Sequence, residues 1–283
     1  MGFWKALSIG LCILRSLNTV INGESLLDLI RGQYSDLILV DTRSFAEYAK
    51  GHIPGAINID LMHFHWFDTS TMGILQFEKQ MSLLLNYLGI NPSNRVVFYD
   101  NVSGPTASRG VWLLNYFRHL DSFVLDGGFE NWSKLRNPVE MKTNQYSHST
   151  FNFYTNRTIL ADLEYVKNCV DKNSQDVIIV DCRSQAEYNG SVARAFHRGH
   201  IPKSVNVEWS NNLSNEKFLK FDALARLYSF ISKKTEVITY CQGGYRAANT
   251  YLVLKQLGYP KVRMYLGSWG EWGNNPTLPV ELN

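Results

Sequence analysis

The chain has 283 residues, 45% of them hydrophobic and 19% charged, which is material for two packed domains and excludes disorder, collagen-like repetition or coiled coil as its main plan. Its 28 basic and 25 acidic side chains leave a net charge of +3, too little for a nucleic-acid surface, and no apolar run approaches the roughly 20 residues of a membrane span. Four cysteines (Cys12, Cys169, Cys182, Cys241) in so long a chain do not make a disulfide framework and point to a reduced, cytoplasmic setting.

In chain order, the first feature is the apolar run ALSIGLCIL between Lys5 and Arg15. A positive start with an apolar middle looks like a short signal peptide, and the lack of an acidic residue before Glu24 also suits an organelle transit peptide, but no A-x-A-like site follows. Residues 1–17 read either as an extension of the first domain or as a segment that exports the protein or sends it to an organelle. LILVD, RVVFYD and SFVLD are strand-like in the first half, and VIIVD, EVITYC and VRMYLG in the second. Their near-continuous apolar character suits parallel strands buried on both faces. Helix-period stretches such as FEKQMSLLLNYL and AANTYLVLKQL lie between them. This alternation predicts an α/β protein with mostly parallel sheets flanked by helices.

The two halves are copies of one domain. DTRSFAEY from Asp41 parallels DCRSQAEY from Asp181, each followed by G-H-I-P, and LDGGFENW parallels YLGSWGEW. Asp41 to Trp132 spans 91 positions, and so does Asp181 to Trp272. The domains are expected over residues 18–140 and 156–283, joined by the polar stretch 141–158. The second copy carries eight extra residues before its GHIP, since Asp181 to His200 spans 19 positions where Asp41 to His52 spans 11. Residues 151–283 hold 16 basic and 12 acidic side chains against 12 and 13 in residues 1–150, which favours an anionic ligand in the second copy.

D-x-R-S-x-A-E-Y occurs in both copies, so Asp41, Arg43, Asp181 and Arg183 read as structural: a carboxylate at a strand end beside an Arg–Glu clip at helical spacing (Arg43 with Glu47, Arg183 with Glu187). His52 and His200 read as turn histidines that bond backbone. His63 and His65 form an H-x-H with no companion ligand cluster, and no metal site is expected. The segment VITYCQGGYRAAN is different. An apolar strand runs into Cys241, and the loop Gln242, Gly243, Gly244, Tyr245, Arg246 opens a helix near Ala247. A cysteine there faces backbone N–H groups and the positive end of a helix, which favour the nucleophilic thiolate and cradle an anionic substrate. The first copy ends the matching strand in Asp100, which cannot perform thiolate chemistry. One copy reads as catalytic, the other as structural, with the interface between them part of the site.

These residues resemble the tandem-domain rhodaneses, that is, thiosulfate sulfurtransferases and the related 3-mercaptopyruvate sulfurtransferases. The resemblance covers about residues 20–283 and rests on DTRSFAEY, GHIPGAIN, DCRSQAEY, GHIPKSVN, the CQGGYR loop and the tail YLGSWGEWGNNPTLPVE. It implies that only the second copy is active, with Asp100 standing in place of the cysteine in the first. It implies a double displacement in which the Cys241 thiolate takes the sulfane sulfur of thiosulfate as a persulfide and passes it to cyanide or a thiol. Neither metal nor organic cofactor is implied. The partners implied are a small anionic sulfur donor and a thiol acceptor such as a small redox protein, with no nucleic acid and no membrane.

The loop lacks both the C-R-K-G-V-T of vertebrate thiosulfate enzymes and the C-G-S-G-V-T of mercaptopyruvate enzymes, and is similar to the bacterial thiosulfate branch, with Arg246 in sixth place. Glu187 stands where the best-known members place a substrate-binding arginine. The insertion offers Arg194, His197 and Arg198 instead, and Arg194 or Arg198 is expected to hold the donor anion together with residues 242–246. Thiosulfate is the donor expected. The alternatives are 3-mercaptopyruvate, or a non-catalytic persulfide carrier or redox sensor using the same cysteine. Cys241 to Arg246 is Cys-x4-Arg, one residue short of a phosphate-binding phosphatase loop.

Overall fold

The computed structural model describes residues 19–172 and 174–282, so the expectations for residues 1–17 and Cys12 lie outside the described residues. The first copy runs β1 (Val20–Ile21), α1 (Gly23–Arg31), β2 (Leu37–Asp41), α2 (Phe45–Lys50), β3 (Ile57–Asn58), α3 (Thr71–Tyr87), β4 (Arg95–Tyr99), α4 (Pro105–Tyr116), β5 (Ser122–Leu125) and α5 (Gly128–Lys134). The second repeats the plan with β6 (Leu160–Ala161), α6 (Leu163–Asp171), β7 (Val177–Asp181), α7 (Gln185–Tyr188) and β8 (Val205–Asn206). After a small antiparallel hairpin of β9 (Leu213–Ser214) and β10 (Lys217–Phe218) come α8 (Phe221–Leu227), β11 (Glu236–Tyr240), α9 (Tyr245–Gln256), β12 (Val262–Tyr265) and α10 (Ser268–Trp272).

Each copy is a five-stranded parallel sheet between helices, in the order β1-β5-β4-β2-β3 and β6-β12-β11-β7-β8. The registers correspond, with Asp41 opposite Tyr99 and Asp181 opposite Tyr240. The loops after β4 and β11 therefore leave equivalent points on the carboxyl edge, where open α/β sheets bind ligands. Helices α4 and α9 pack against each other. One apolar cluster runs through that contact, from Phe77, Trp112 and Tyr116 in the first copy to Tyr251 and Leu252 in the second. The polar stretch 141–158 is tied to the first copy: Tyr146 Oη donates to Gly55 O at 2.9 Å and Asn156 N to Tyr116 O at 2.6 Å. Among the described residues no helix is long and apolar enough to cross a membrane.

The paired motifs are buried in both copies. Arg43 grips Asp41, with Nη2 2.6 Å from Oδ2, and donates to Gly51 O at 2.8 Å; Arg183 grips Asp181 at 2.5 Å and donates to Gly199 O at 2.8 Å. His52 and His200 hold the backbone O of Tyr48 and Tyr188 at 2.9 and 2.8 Å and stack on those tyrosine rings at 3.7 Å. The expected Arg–Glu clip does not form. The helices begin after Ser44 and Ser184, so each arginine precedes its helix and folds back onto the strand-end aspartate. Glu47 and Glu187 instead complete capping boxes with those serines.

Candidate active site

Strand β11 delivers Cys241 to the sheet edge with 1% of its surface exposed. Gly244 is the N-cap of the 12-residue α9 and has a φ of +85°, left-handed backbone that a side chain would strain. That conformation turns the Gly244 N–H onto Cys241 Sγ at 3.2 Å. The helix starts two residues earlier than Ala247 because Gly244 caps it. Its first N–H groups have no intrahelical acceptor and add their partial positive charge at the sulfur. The loop is anchored behind by Trp269 N to Cys241 O and Gly270 N to Gln242 O, both at 2.9 Å.

Arg246 points its guanidinium at Glu187, with Nη1 to Oε2 at 2.6 Å and Nη2 to Oε1 at 2.9 Å. Burial alone would raise the Glu187 carboxyl, but Arg246 and Ser184 hold it down to about 2. The charge that Arg246 brings beside the cysteine is thus matched by a carboxylate. Gln242 Nε2 donates to the backbone O of Arg194 at 3.0 Å, which draws the insertion to the rim of the loop. The Arg194 side chain is 55% exposed, with Nη1 3.6 Å from Glu187 Oε1. Arg198 is exposed, and no hydrogen bond or ion pair among the described residues joins it to the Cys241 loop. The structure thus brings Gln242, Gly243, Gly244, Tyr245, Arg246 and Arg194 to the Cys241 mouth, while Arg198 is not joined to it.

The first copy closes the other side. Tyr245 Oη donates to Leu61 O, and the Tyr245 ring lies against His65 at 4.9 Å. A Cβ on Gly243 would fall 2.6 Å from His65 Cδ2, so this close approach needs glycine. Burial lowers the His65 imidazole from its ordinary value. Arg109, from α4, lies against Gly244 and stacks over Trp112 at 4.6 Å. His65, Arg109 and the Glu187–Arg246 pair were not found by motif. In the sequence His65 reads only as half of an H-x-H, and the signal for Arg109 is a cation beside the apolar residues VWLL of a helix.

A buried thiol at a strand end, met by a helix N-terminus and walled by a second domain, can act as a nucleophile toward a small anion. The rhodanese-like domain model matches the chain twice, at residues 23–135 and 162–275. A thiosulfate sulfurtransferase of Pseudomonas aeruginosa is 34% identical over 250 residues, covering 87% of this chain and 92% of its own length. A sulfur carrier protein of Thermus thermophilus is 30% identical over 259 residues, 87% of each chain. The crystal structure of an Escherichia coli 3-mercaptopyruvate sulfurtransferase with the rhodanese fold matches with a TM-score of 0.75 at 25% identity, over 89% of this chain and 99% of that one. With the repeat, the two sheets and the cysteine loop all in agreement, this chain belongs to the rhodanese family, as a tandem of two rhodanese-like domains.

Proposed function

We propose that this rhodanese is a sulfurtransferase that takes the sulfane sulfur of thiosulfate onto Cys241 and hands it to a thiophilic acceptor. The observation that carries the reading is the Gly244 N–H directed at Cys241 Sγ at 3.2 Å, at the start of α9. The thiolate attacks the outer sulfur of thiosulfate, the S–S bond breaks, and sulfite leaves with its electron pair. Cys241 then holds an anionic persulfide. Cyanide or a thiolate attacks the terminal sulfur, and the Cys241 thiolate leaves. No proton need be supplied in the first step. The helix-start amides stabilise negative charge on sulfur throughout.

Thiosulfate is favoured as donor because a relative at 34% identity is a thiosulfate enzyme and because the mouth offers Arg194 and backbone amides to an anion. Thiocyanate formation from thiosulfate and cyanide, run beside pyruvate formation from 3-mercaptopyruvate, tests this. Turnover with mercaptopyruvate alone would overturn the choice of donor. A second reading, a persulfide carrier that hands one sulfur to a protein partner, is favoured by the likeness to the Thermus carrier. It predicts one sulfur loaded per Cys241 and no steady-state thiocyanate.

A further inference from the structure

Arg109 is only 5% exposed, yet among the described residues no carboxylate pairs with it. Its one hydrogen bond there is from Nη1 to Met264 Sδ, at 3.7 Å. The guanidinium lies over the rings of Trp112, Tyr245 and Phe77 at 4.6, 5.6 and 5.8 Å, and aromatic faces offset only part of the cost of burying a cation. A buried guanidinium of this kind is stabilised by a negative partner. The Cys241 sulfur stands beside it: a Cβ on Gly244 would fall 3.1 Å from Arg109 Nη1, and Gly244 is the residue whose N–H meets Cys241 Sγ.

The repeat supplies a control. Arg109 is the fifth residue of α4, and the fifth residue of α9 is Asn249. Asn249 reaches across to the other copy's loop, donating to Ser103 O at 2.9 Å and to Ser108 Oγ at 3.2 Å. Arg109 makes the reverse reach. The loop that holds a carboxylate of its own receives a neutral amide, and the loop that holds the cysteine receives a cation.

We propose that Arg109, delivered by the copy that lacks the cysteine, is the counter-charge of the anionic sulfur at Cys241 and holds its thiolate and persulfide in the charged form. Arg109 is then a positioning residue, acting through the sulfur, and the inference rests on Cys241 being the sulfur-carrying nucleophile. Burial draws the Arg109 guanidinium down to about 10, against the opposing pull of Tyr245 and Cys241, so it stays charged at neutral pH.

The test uses the full chain and two alkylating agents at pH 7. Iodoacetamide is neutral and reads the thiolate alone; iodoacetate also reads the recruitment of an anion. In Arg109→Met and Arg109→Gln the iodoacetamide rate at Cys241 should fall about tenfold, the effect of losing a nearby opposite charge. Arg109→Lys should stay closer to the unaltered protein than either neutral variant. A native iodoacetamide rate in a folded neutral variant overturns the proposal. So does a native iodoacetamide rate with slowed iodoacetate, which would make Arg109 a ligand of the incoming anion only. If neither neutral variant folds, the unaltered chain decides: Cys241 capped with iodoacetate should melt above the same protein capped with iodoacetamide, and equal melting overturns the proposal. Alkylation needs no donor, so a failure of thiosulfate as substrate is seen separately, in thiocyanate assays alone.

Discussion

The loops after β4 and β11 leave their sheets in the same register and end in glycine-capped helices of 12 residues, yet they hold different atoms. In the first copy Asp100 folds into its own loop and accepts from Val102 N at 3.1 Å, Gly104 N at 3.1 Å, Thr106 N at 3.2 Å and Thr106 Oγ1 at 2.8 Å. The carboxylate is the loop's own anion, and burial raises its carboxyl to about 6 in spite of those bonds. In the second copy Cys241 Sγ accepts, among the described residues, from Gly244 N only, which leaves the helix start unspent for a guest. One scaffold thus makes a filled cradle and an open one. The filled copy keeps a task, since His65 and Arg109 wall the open loop.

The largest effect should follow from removing the open cradle's sulfur. Cys241→Ser should abolish sulfur transfer. Cys182→Ser should largely spare it, because burial pushes the Cys182 thiol well above its ordinary value. Mass spectrometry after thiosulfate treatment should add one sulfur (~32 Da) to Cys241. Asp100→Cys in the Cys241→Ser protein should remain inactive. The first loop faces Asn249 where the second faces Arg109, and Glu47 is bonded to Asn101, at 2.7 Å, where Glu187 holds Arg246. Thiocyanate turnover by that double variant would break the comparison.

Next in size is the Glu187–Arg246 pair. Arg246→Gln leaves a buried carboxylate without its cation, and should cost about 3–5 kcal/mol in denaturant unfolding. Adding Glu187→Gln should recover much of this. An unfolding midpoint unmoved in Arg246→Gln would show that the pair is not what holds α7 to α9.

The legible part of this molecule was the part written locally. The repeat announced two equivalent domains, and a strand end, two glycines and a helix start announced Cys241 within a dozen residues. What was illegible depends on packing between distant segments. Arg246 meets Glu187 from 59 positions away, and Arg109 meets Gly244 only because α4 lies on α9. Helical spacing suggests an Arg–Glu clip that does not form, because each arginine stands before its helix.

The two copies should also differ in the sign of their pH dependence. The folded Glu187 carboxyl is held near 2, below its ordinary 4.5, so its contribution is present at neutral pH and lost as pH falls from about 4.5 toward 2. Asp100 is raised to about 6 from 3.8, so its contribution is present below about 4 and lost as pH rises through 6. Each amounts to the order of 3 kcal/mol. Unfolding free energies compared between pH 2 and 7 should lose the acid limb in the Arg246→Gln, Glu187→Gln protein. They should lose the 4-to-6 limb in Asp100→Asn. Parallel curves for native and variant would sink the corresponding assignment.

The smallest effect is expected at the insertion, a segment the second copy does not share with the first. Its link to the open loop is a backbone one, from Gln242 Nε2 to Arg194 O, while the Arg194 guanidinium stands exposed at the mouth, 3.6 Å from Glu187 Oε1. A charge so exposed acts through solvent and salt, and part of it is already answered by Glu187. Arg194→Ala with Arg198→Ala should therefore raise the thiosulfate KM about two- to fivefold at low salt, the scale of exposed ion pairs, and the difference should shrink as ionic strength rises. Arg198→Ala alone should change nothing. A KM rise beyond about tenfold that survives high salt, well above an exposed pair's worth, would make the insertion a true anion clamp. An unmoved KM would leave the donor to the helix-start amides and the interface.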